Sequence, residues 1–453
     1  MPLLGSAAHR VRTLPERQGK VTFALLVAIL ALGFGLRAYR VVEPLGTPGD
    51  DSRAYYALSK ALYEDGSYGG PEFRDSSDWS PGAPLLYGAS FYATGGAREG
   101  TARIVEALLG VAAILVVFLL GKRIACRPAG LIAAFGVAVY PPFIHSTGAL
   151  MSEPPAILSL SAAVLAFLWA GNQRRLSAWL LPGFLFGLAA LIRPEYLVVG
   201  IAFAVLAAIR IGRERGWRPG MAGAALLVAA FLLPIIPWTV RNLVVLDRFV
   251  PISTGGGKAL YVGTYLPADG EYQRVKALLV ERYLHRDLEP GSAALDRVNP
   301  TPLFDRVAAR YPDLPRDSAL GKIGKQNFSE YFGDDPVGYL GMTMRKVWRM
   351  WSGGVGEAMS STAGRVVQVL IVLLALAGLG VLAVRRWWWE LIAMATPIVI
   401  VTAVGAASLA APRRNEVLMT LVFPLAGAAL AQAGAALSSR RSWSPRQESS
   451  LQS

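Results

Sequence analysis

Two adjacent carboxylates, Asp50 and Asp51, stand in the segment PGDDSRAYY (48–56), at the start of AYYALSKALYE (54–64). That stretch carries Tyr55, Leu58, Ala61 and Leu62 on one helical face and Ser59, Lys60 and Glu64 on the other, the pattern of a helix lying in a membrane interface. Carboxylates so placed have two readings. One is a helix cap, in which an Asp accepts backbone N–H bonds and suits the positive end of the macrodipole. The other is chemical: a general base toward a sugar or lipid hydroxyl, or a ligand that helps hold a divalent cation. Both chemical roles require a site at headgroup height, where a lipid-tailed donor presents its phosphate.

A third carboxylate, Glu153 in LMSEPP (150–155), opens another apolar run. Its structural reading is a first-turn acid followed by prolines at tolerated positions. Its functional reading is a metal or acceptor-site ligand, with His145 as a nearby second ligand. Arg193, Arg241, Arg413 and Arg414 fall at the ends of apolar runs, and Arg37 near the end of the first. Such arginines either snorkel to phospholipid headgroups or grip a phosphate, for which a planar guanidinium is suited. GGGK (255–258) lacks the Ser or Thr after its lysine that a nucleotide phosphate loop needs, so it is read as a flexible loop in which Lys258 can touch phosphate. Three histidines and one cysteine, Cys126, leave little room for a zinc cluster, and no disulfide can form within the chain.

The elements that position these groups are apolar. Of 453 residues, 53% are hydrophobic and 17% charged, far more apolar than a soluble domain of this length requires. The apolar residues come in ten blocks: 21–36, 104–120, 129–144, 154–170, 176–192, 195–209, 221–240, 366–384, 387–411 and 415–437. These predict an all-α polytopic membrane protein with about ten transmembrane helices, within a range of about eight to twelve, several of them short of a full span. The first block has no cleavage-site pattern and is followed by Arg37 and Arg40, so it is read as a retained helix. With the N-terminus inside, the short inner segments hold eighteen basic residues, from Arg10 through Arg123, Arg175, Arg213 and Arg385 to Arg446, against Arg193, Arg413 and Arg414 in the short outer loops. The net charge of +14 is then a topology signal, and nucleic acid is excluded as a partner because the basic residues are dispersed among separate loops. Trp387, Trp388 and Trp389 read as an interfacial belt.

The organisation that follows is a cytoplasmic segment (1–20), an N-terminal membrane core (21–240) enclosing a first outer loop (43–103), and an outer-face loop domain (241–363). C-terminal membrane helices (364–437) and a disordered cytoplasmic tail (438–453) complete it. Within the outer domain, EYQRVKALLVERYL (271–284) has helical spacing. The expected location is the plasma membrane, with both termini cytoplasmic.

An acidic pair after the first helix with Tyr55 four residues beyond Asp51, followed by ALSKALYEDGSY, resembles the first outer loop of the GT-C glycosyltransferase superfamily. The likeness is to its family 39-like group of protein O-mannosyltransferases and lipid A aminoarabinose transferases. WSPGAPLLYG (79–88), the run 121–160 with its Ser-Glu turn, LIRPEYLVV (191–199), the run 237–263 and APRRNEVLMTLVFPLAG (411–427) are similar to further family segments in the same order. The resemblance implies a polyprenyl-phosphate sugar donor, a lipid, glycan or protein acceptor, and an essential acid in the first outer loop: Asp51 first, Asp50 second. Many relatives have Asp-Glu where this chain has Asp-Asp or Asp-Ser, so the choice between the two stays open. A phosphate leaving group calls for a cation, and the short outer loops are otherwise stripped of positive charge, so Arg193 and Arg241 are read as donor-phosphate ligands ahead of Arg37, Lys258 and Arg414. No cofactor is certain, and a divalent metal ion is the one candidate. A transporter or flippase of lipid-linked saccharides is the alternative; it predicts repeated halves and ionisable residues deep within helices. A membrane acyltransferase using His145 or His285 is a third reading.

Overall fold

The computed structural model describes residues 16–43, 50–69 and 76–441. Most of the expected N-terminal segment and nearly all of the tail fall outside the described residues, as does the side chain of Asp50. The described residues form helices and connecting turns, without a strand. In chain order these are α1 (Glu16–Val42), α2 (Asp50–Asp65), α3 (Gly82–Thr94), α4 (Glu99–Ile124), α5 (Arg127–Val139), α6 (Pro141–His145), α7 (Glu153–Ala170), α8 (Leu180–Ile192), α9 (Tyr196–Arg215) and α10 (Trp217–Leu246). A set of mostly shorter helices follows: α11 (Gly256–Thr264), α12 (Tyr272–Leu284), α13 (Ala293–Asp296), α14 (Thr301–Ala308), α15 (Arg316–Asp334), α16 (Pro336–Ser352) and α17 (Glu357–Ser360). The chain closes with α18 (Thr362–Val384), α19 (Trp388–Ala407) and α20 (Pro412–Arg441).

Each of the ten apolar blocks forms helix. Among the described residues eight helices are long and apolar enough to cross a membrane, and the other two blocks, Arg127–Val139 and Leu176–Ile192, make shorter apolar helices. The shortness has local causes. Pro141 and Pro142 interrupt the run after α5 and start α6, because a proline ring cannot continue the preceding helix. Arg193 precedes Pro194 and takes an extended backbone, which ends α8. The chain is thus a multi-pass membrane protein, and its main core lies among the long helices. There Phe167 stacks edge-on against Trp179 and Phe203 at 5.2 and 4.7 Å. Close helix approach rests on small residues: a Cβ on Gly187 of α8 would collide with the Phe231 carbonyl of α10.

The connection from α10 to α18 carries a second cluster of its own, built from Tyr261, Val275, Leu279, Val280, Phe304, Leu320 and Ile323. The 271–284 pattern is helix α12, as its spacing predicts. Lys346 of α16 ties this connection to the bundle. Its buried ammonium donates to the Gly263 carbonyl of α11 at 2.7 Å and to the Ala406 carbonyl of α19 at 2.9 Å.

Two local expectations change, at Ser59 and at GGGK. Ser59 faces inward rather than outward: it is fully buried, because its hydroxyl donates to the Tyr55 carbonyl at 2.6 Å and so satisfies itself within the helix. The proline-rich 79–88 segment leads into helix α3 at Gly82, with Pro81 at its N-cap position, where proline's missing N–H costs nothing. GGGK forms the first turn of α11, not a loose loop; the Lys258 N–H is fixed by the Asp317 carboxylate at 3.1 Å.

Candidate active site

Five helix ends meet at one end of the bundle: the starts of α2, α7, α9 and α20 and the end of α8. They bring together Asp51, Glu153, Arg193, Glu195, Arg413 and Arg414. Arg413 is the hub. Its Nε and Nη2 grip the two oxygens of Glu153, the latter at 3.1 Å, while Nη1 pairs with Asp51 Oδ2. A guanidinium is the one side chain with enough coplanar donors to serve two carboxylates at once. Arg193 reaches Glu153 at 3.4 Å and Glu195 at 3.2 Å. Burial alone would raise the Glu195 carboxyl, but Arg193, and after it Arg414, hold it below the usual carboxylate range. The Arg193 guanidinium in turn is pushed above its ordinary value, the carboxylates of Glu153 and Glu195 outweighing its desolvation. Tyr55 lies beneath Asp51, edge-on to Trp79 at 5.6 Å; burial pushes its phenol up to about 12, so it stays protonated at neutral pH.

The two carboxylates of the hub differ in access. The Glu153 side chain is 1% exposed and that of Asp51 32% exposed. Among the described residues, none donates to Asp51 Oδ1. Glu153 can therefore hold Arg413 in place, whereas Asp51 can also meet a molecule arriving from outside. Arg414 is the least committed cation here, half-buried, with one long contact to Ser408 Oγ at 3.4 Å.

The other residues singled out from the sequence lie elsewhere. Arg37 is 1% exposed and bonds the carbonyls of Gly33, Val137 and Ala138 at 3.1, 3.1 and 3.2 Å, packed on Gly110 between α1, α4 and α5. Arg241 bonds the Tyr68 carbonyl at 2.9 Å and lies over the Trp238 ring at 5.0 Å, tying the end of α10 to the segment after α2. The Lys258 ammonium lies 5.9 Å from the Phe304 ring. His145 packs against Gly356 rather than Glu153, and burial together with Arg40 lowers its pKa.

A divalent cation does not fit the donor set as arranged. Among the described residues no three His, Cys, Asp or Glu side chains are placed so that they could share a metal ion. The two carboxylates that would bridge an ion hold Arg413 between them instead.

Sequence reasoning set Arg414 ahead of Arg413 and passed over Glu195. A signal for Arg413 was present. It sits, as Arg414 does, in the first turn of α20, where a cation opposes the helix macrodipole and calls for a compensating carboxylate, so the signal is one that the two arginines share.

Residues 78–238 match the family model of dolichyl-phosphate-mannose-protein mannosyltransferases. The apo structure of the Archaeoglobus fulgidus oligosaccharyltransferase aligns over 93% of this chain and 51% of its own, at 16% identity and a TM-score of 0.58. The archaeal oligosaccharyltransferase AglB from the same organism, in complex with an inhibitory peptide and a dolichol-phosphate, aligns over 94% and 52% at 16% identity and a TM-score of 0.55. ArnT from Cupriavidus metallidurans bound to undecaprenyl phosphate aligns over 96% and 82% at 14% identity, with a TM-score of 0.38. The chain thus spans about half the length of the oligosaccharyltransferase chains whose fold it shares. The comparison with curated proteins finds no match.

Proposed function

We propose that this chain is a GT-C superfamily glycosyltransferase, transferring a sugar from a polyprenyl-phosphate donor to a lipid, glycan or protein hydroxyl at the outer face of the membrane; the match of residues 78–238 to the mannosyltransferase family model and the fold shared with the oligosaccharyltransferase support the class. The observation that carries this reading is Arg413 holding Asp51 and Glu153 together with Asp51 on the accessible side. Asp51 takes the acceptor's proton as its oxygen bonds to the anomeric carbon, and the bond from that carbon to the donor phosphate breaks, its electron pair leaving on the phosphate. As Asp51 is neutralised, Arg413 keeps its fork on Glu153, so no buried charge is left unpaired.

The departing phosphate gains charge, so a cation bound there helps the transition state more than the ground state. Arg414 is the guanidinium free to swing toward it, while Arg193, held by two carboxylates, shapes the site. Arg241, Lys258 and Arg37 serve the packing described above. Orientation is supported by the charge asymmetry of the short loops and by the convergence of the residues at the expected outer ends. The dolichol-phosphate bound to the structurally similar AglB accords with the donor class.

The test is donor titration with reconstituted protein and a polyprenyl-phosphate sugar. Asp51→Asn lowers turnover on the order of 100-fold with little change in donor KM, and Arg414→Ala raises donor KM by about tenfold. Near-normal turnover in Asp51→Asn sinks the assignment of the base.

A further inference from the structure

Glu106 lies within the second turn of α4, fully buried, and has no part in the mechanism above. Among the described residues no cation pairs with it. Its carboxylate is instead ringed by neutral donors from the turn that precedes α7. The Gly148 N–H at 2.7 Å and the Leu150 N–H at 3.3 Å point to Oε2, and the Met151 N–H at 2.7 Å points to Oε1. The Tyr87 hydroxyl of α3 is 2.8 Å from Oε1 and 2.6 Å from the Met151 carbonyl, to either of which its single hydrogen can be given. The turn cannot hold this shape on its own. Gly148 has φ 91° and Leu150 φ 48°, the second a left-handed conformation that a residue with a side chain adopts only when its surroundings compel it. A Cβ on Gly148 would stand 2.7 Å from the Arg40 carbonyl.

Both ends of the active site hang from this turn. Met151 is followed by Ser152 and Glu153, and the Ser52 hydroxyl, next to Asp51, donates to the Ala149 carbonyl. A buried, unpaired-by-cation carboxylate within an apolar span is costly, and an apolar replacement would orphan three N–H groups. We propose that Glu106 is a positioning residue: it locks the 148–151 turn and thereby sets Asp51 and Glu153 at the spacing that one guanidinium, Arg413, can bridge. The proposal rests on the transfer reading above for its catalytic consequence.

Two measurements on the full chain in nanodiscs test it, amide hydrogen exchange over 147–152 and transfer kinetics with a polyprenyl-phosphate sugar. Glu106→Gln keeps the shape but turns an amide NH2 toward N–H donors. Exchange of the turn should quicken by about tenfold or more, and kcat should fall by about tenfold, while donor KM stays within about twofold. Glu106→Asp, which keeps the charge, should recover part of the lost kcat. Tyr87→Phe should move both readouts the same way by less, and it carries the test should Glu106→Gln not fold. Unchanged exchange of the turn, or kcat within about twofold of wild type, overturns the proposal. The exchange arm needs no donor: if the wild-type protein transfers no sugar, the function fails, and protection of the turn still decides whether Glu106 is its anchor.

Discussion

The two ends of the helix bundle handle arginine in opposite ways. At the end carrying Asp51, guanidinium groups and carboxylates from five helix ends bind one another, and Arg413 and Arg414 sit at a helix start, against the macrodipole. At the other end the basic residues close helices. Arg123 is in the last turn of α4 and Arg213 and Arg215 in the last turn of α9, where the dipole favours them. Their contacts are separate: Arg123 with Glu390 at 2.7 Å, Arg210 over the Trp389 ring at 5.3 Å, Arg385 over Trp387 at 5.1 Å. At that end the charges are met one at a time, by a single carboxylate or an indole ring, and buried Arg210 leaves its Nε and Nη1 without a partner among the described residues. The other places charges where they are uncomfortable unless all are present, which supports the proposal that chemistry takes place there.

That contrast breaks first at Arg413. Arg413→Ala removes the shared partner of two carboxylates, one of them buried, so transfer should fall by on the order of 1000-fold and the protein lose roughly 3 to 5 kcal/mol. Assay of the detergent-purified variant alongside its melting temperature measures both; activity above that of Asp51→Asn would mean the hub is ornamental. Arg193→Lys comes next. An ammonium cannot hold Glu153 and Glu195 in one plane, and turnover should drop by about tenfold with the fold intact. A variant indistinguishable from wild type would detach Arg193 from the network.

Lys346 sharpens the picture at the joint with the second cluster. Burial first, with Arg349 and Arg414 adding to it against Asp269, lowers its pKa to about 8. The folded form therefore binds fewer protons than the unfolded form between about pH 8 and the ordinary lysine value of 10.5, so this group's contribution to stability grows as pH rises through that window. Comparing wild type with Lys346→Met, the extra stability of wild type at pH 10 over pH 8 should be on the order of 1 kcal/mol, read from melting curves. Parallel curves for the two proteins would contradict the buried-cation assignment. The smallest effect belongs to the far end, where Arg123→Ala should cost about 0 to 1 kcal/mol and leave transfer unchanged. A loss of transfer there would erase the distinction between the two ends.

Much of this was legible without coordinates. The ten apolar blocks became helices because a run of about twenty apolar residues has one way to satisfy its backbone in lipid. The helix after Asp51 and the helix at 272–284 were visible in their spacing. Asp51, Glu153, Arg193 and Arg414 could be placed near helix ends, and they do meet. The inward turn of Ser59 was not visible, since a self-satisfied hydroxyl reads as polar in a periodicity. Nor was the helical state of Lys258, since three glycines read as a loop.

What the sequence determined by itself is the class of object and its candidate groups: hydrophobic length, loop charge and helix-end chemistry are properties of contiguous residues. What only the tertiary structure decided is partnership. Asp51 and Arg413 are 362 residues apart, and Glu153 and Arg413 are 260. No local pattern distinguishes the arginine that meets two carboxylates from its neighbour, Arg414, that meets a serine. That choice is made by how α2, α7 and α20 pack, because a guanidinium's donors are directional and a shift of one position along a helix turns the side chain by about 100°.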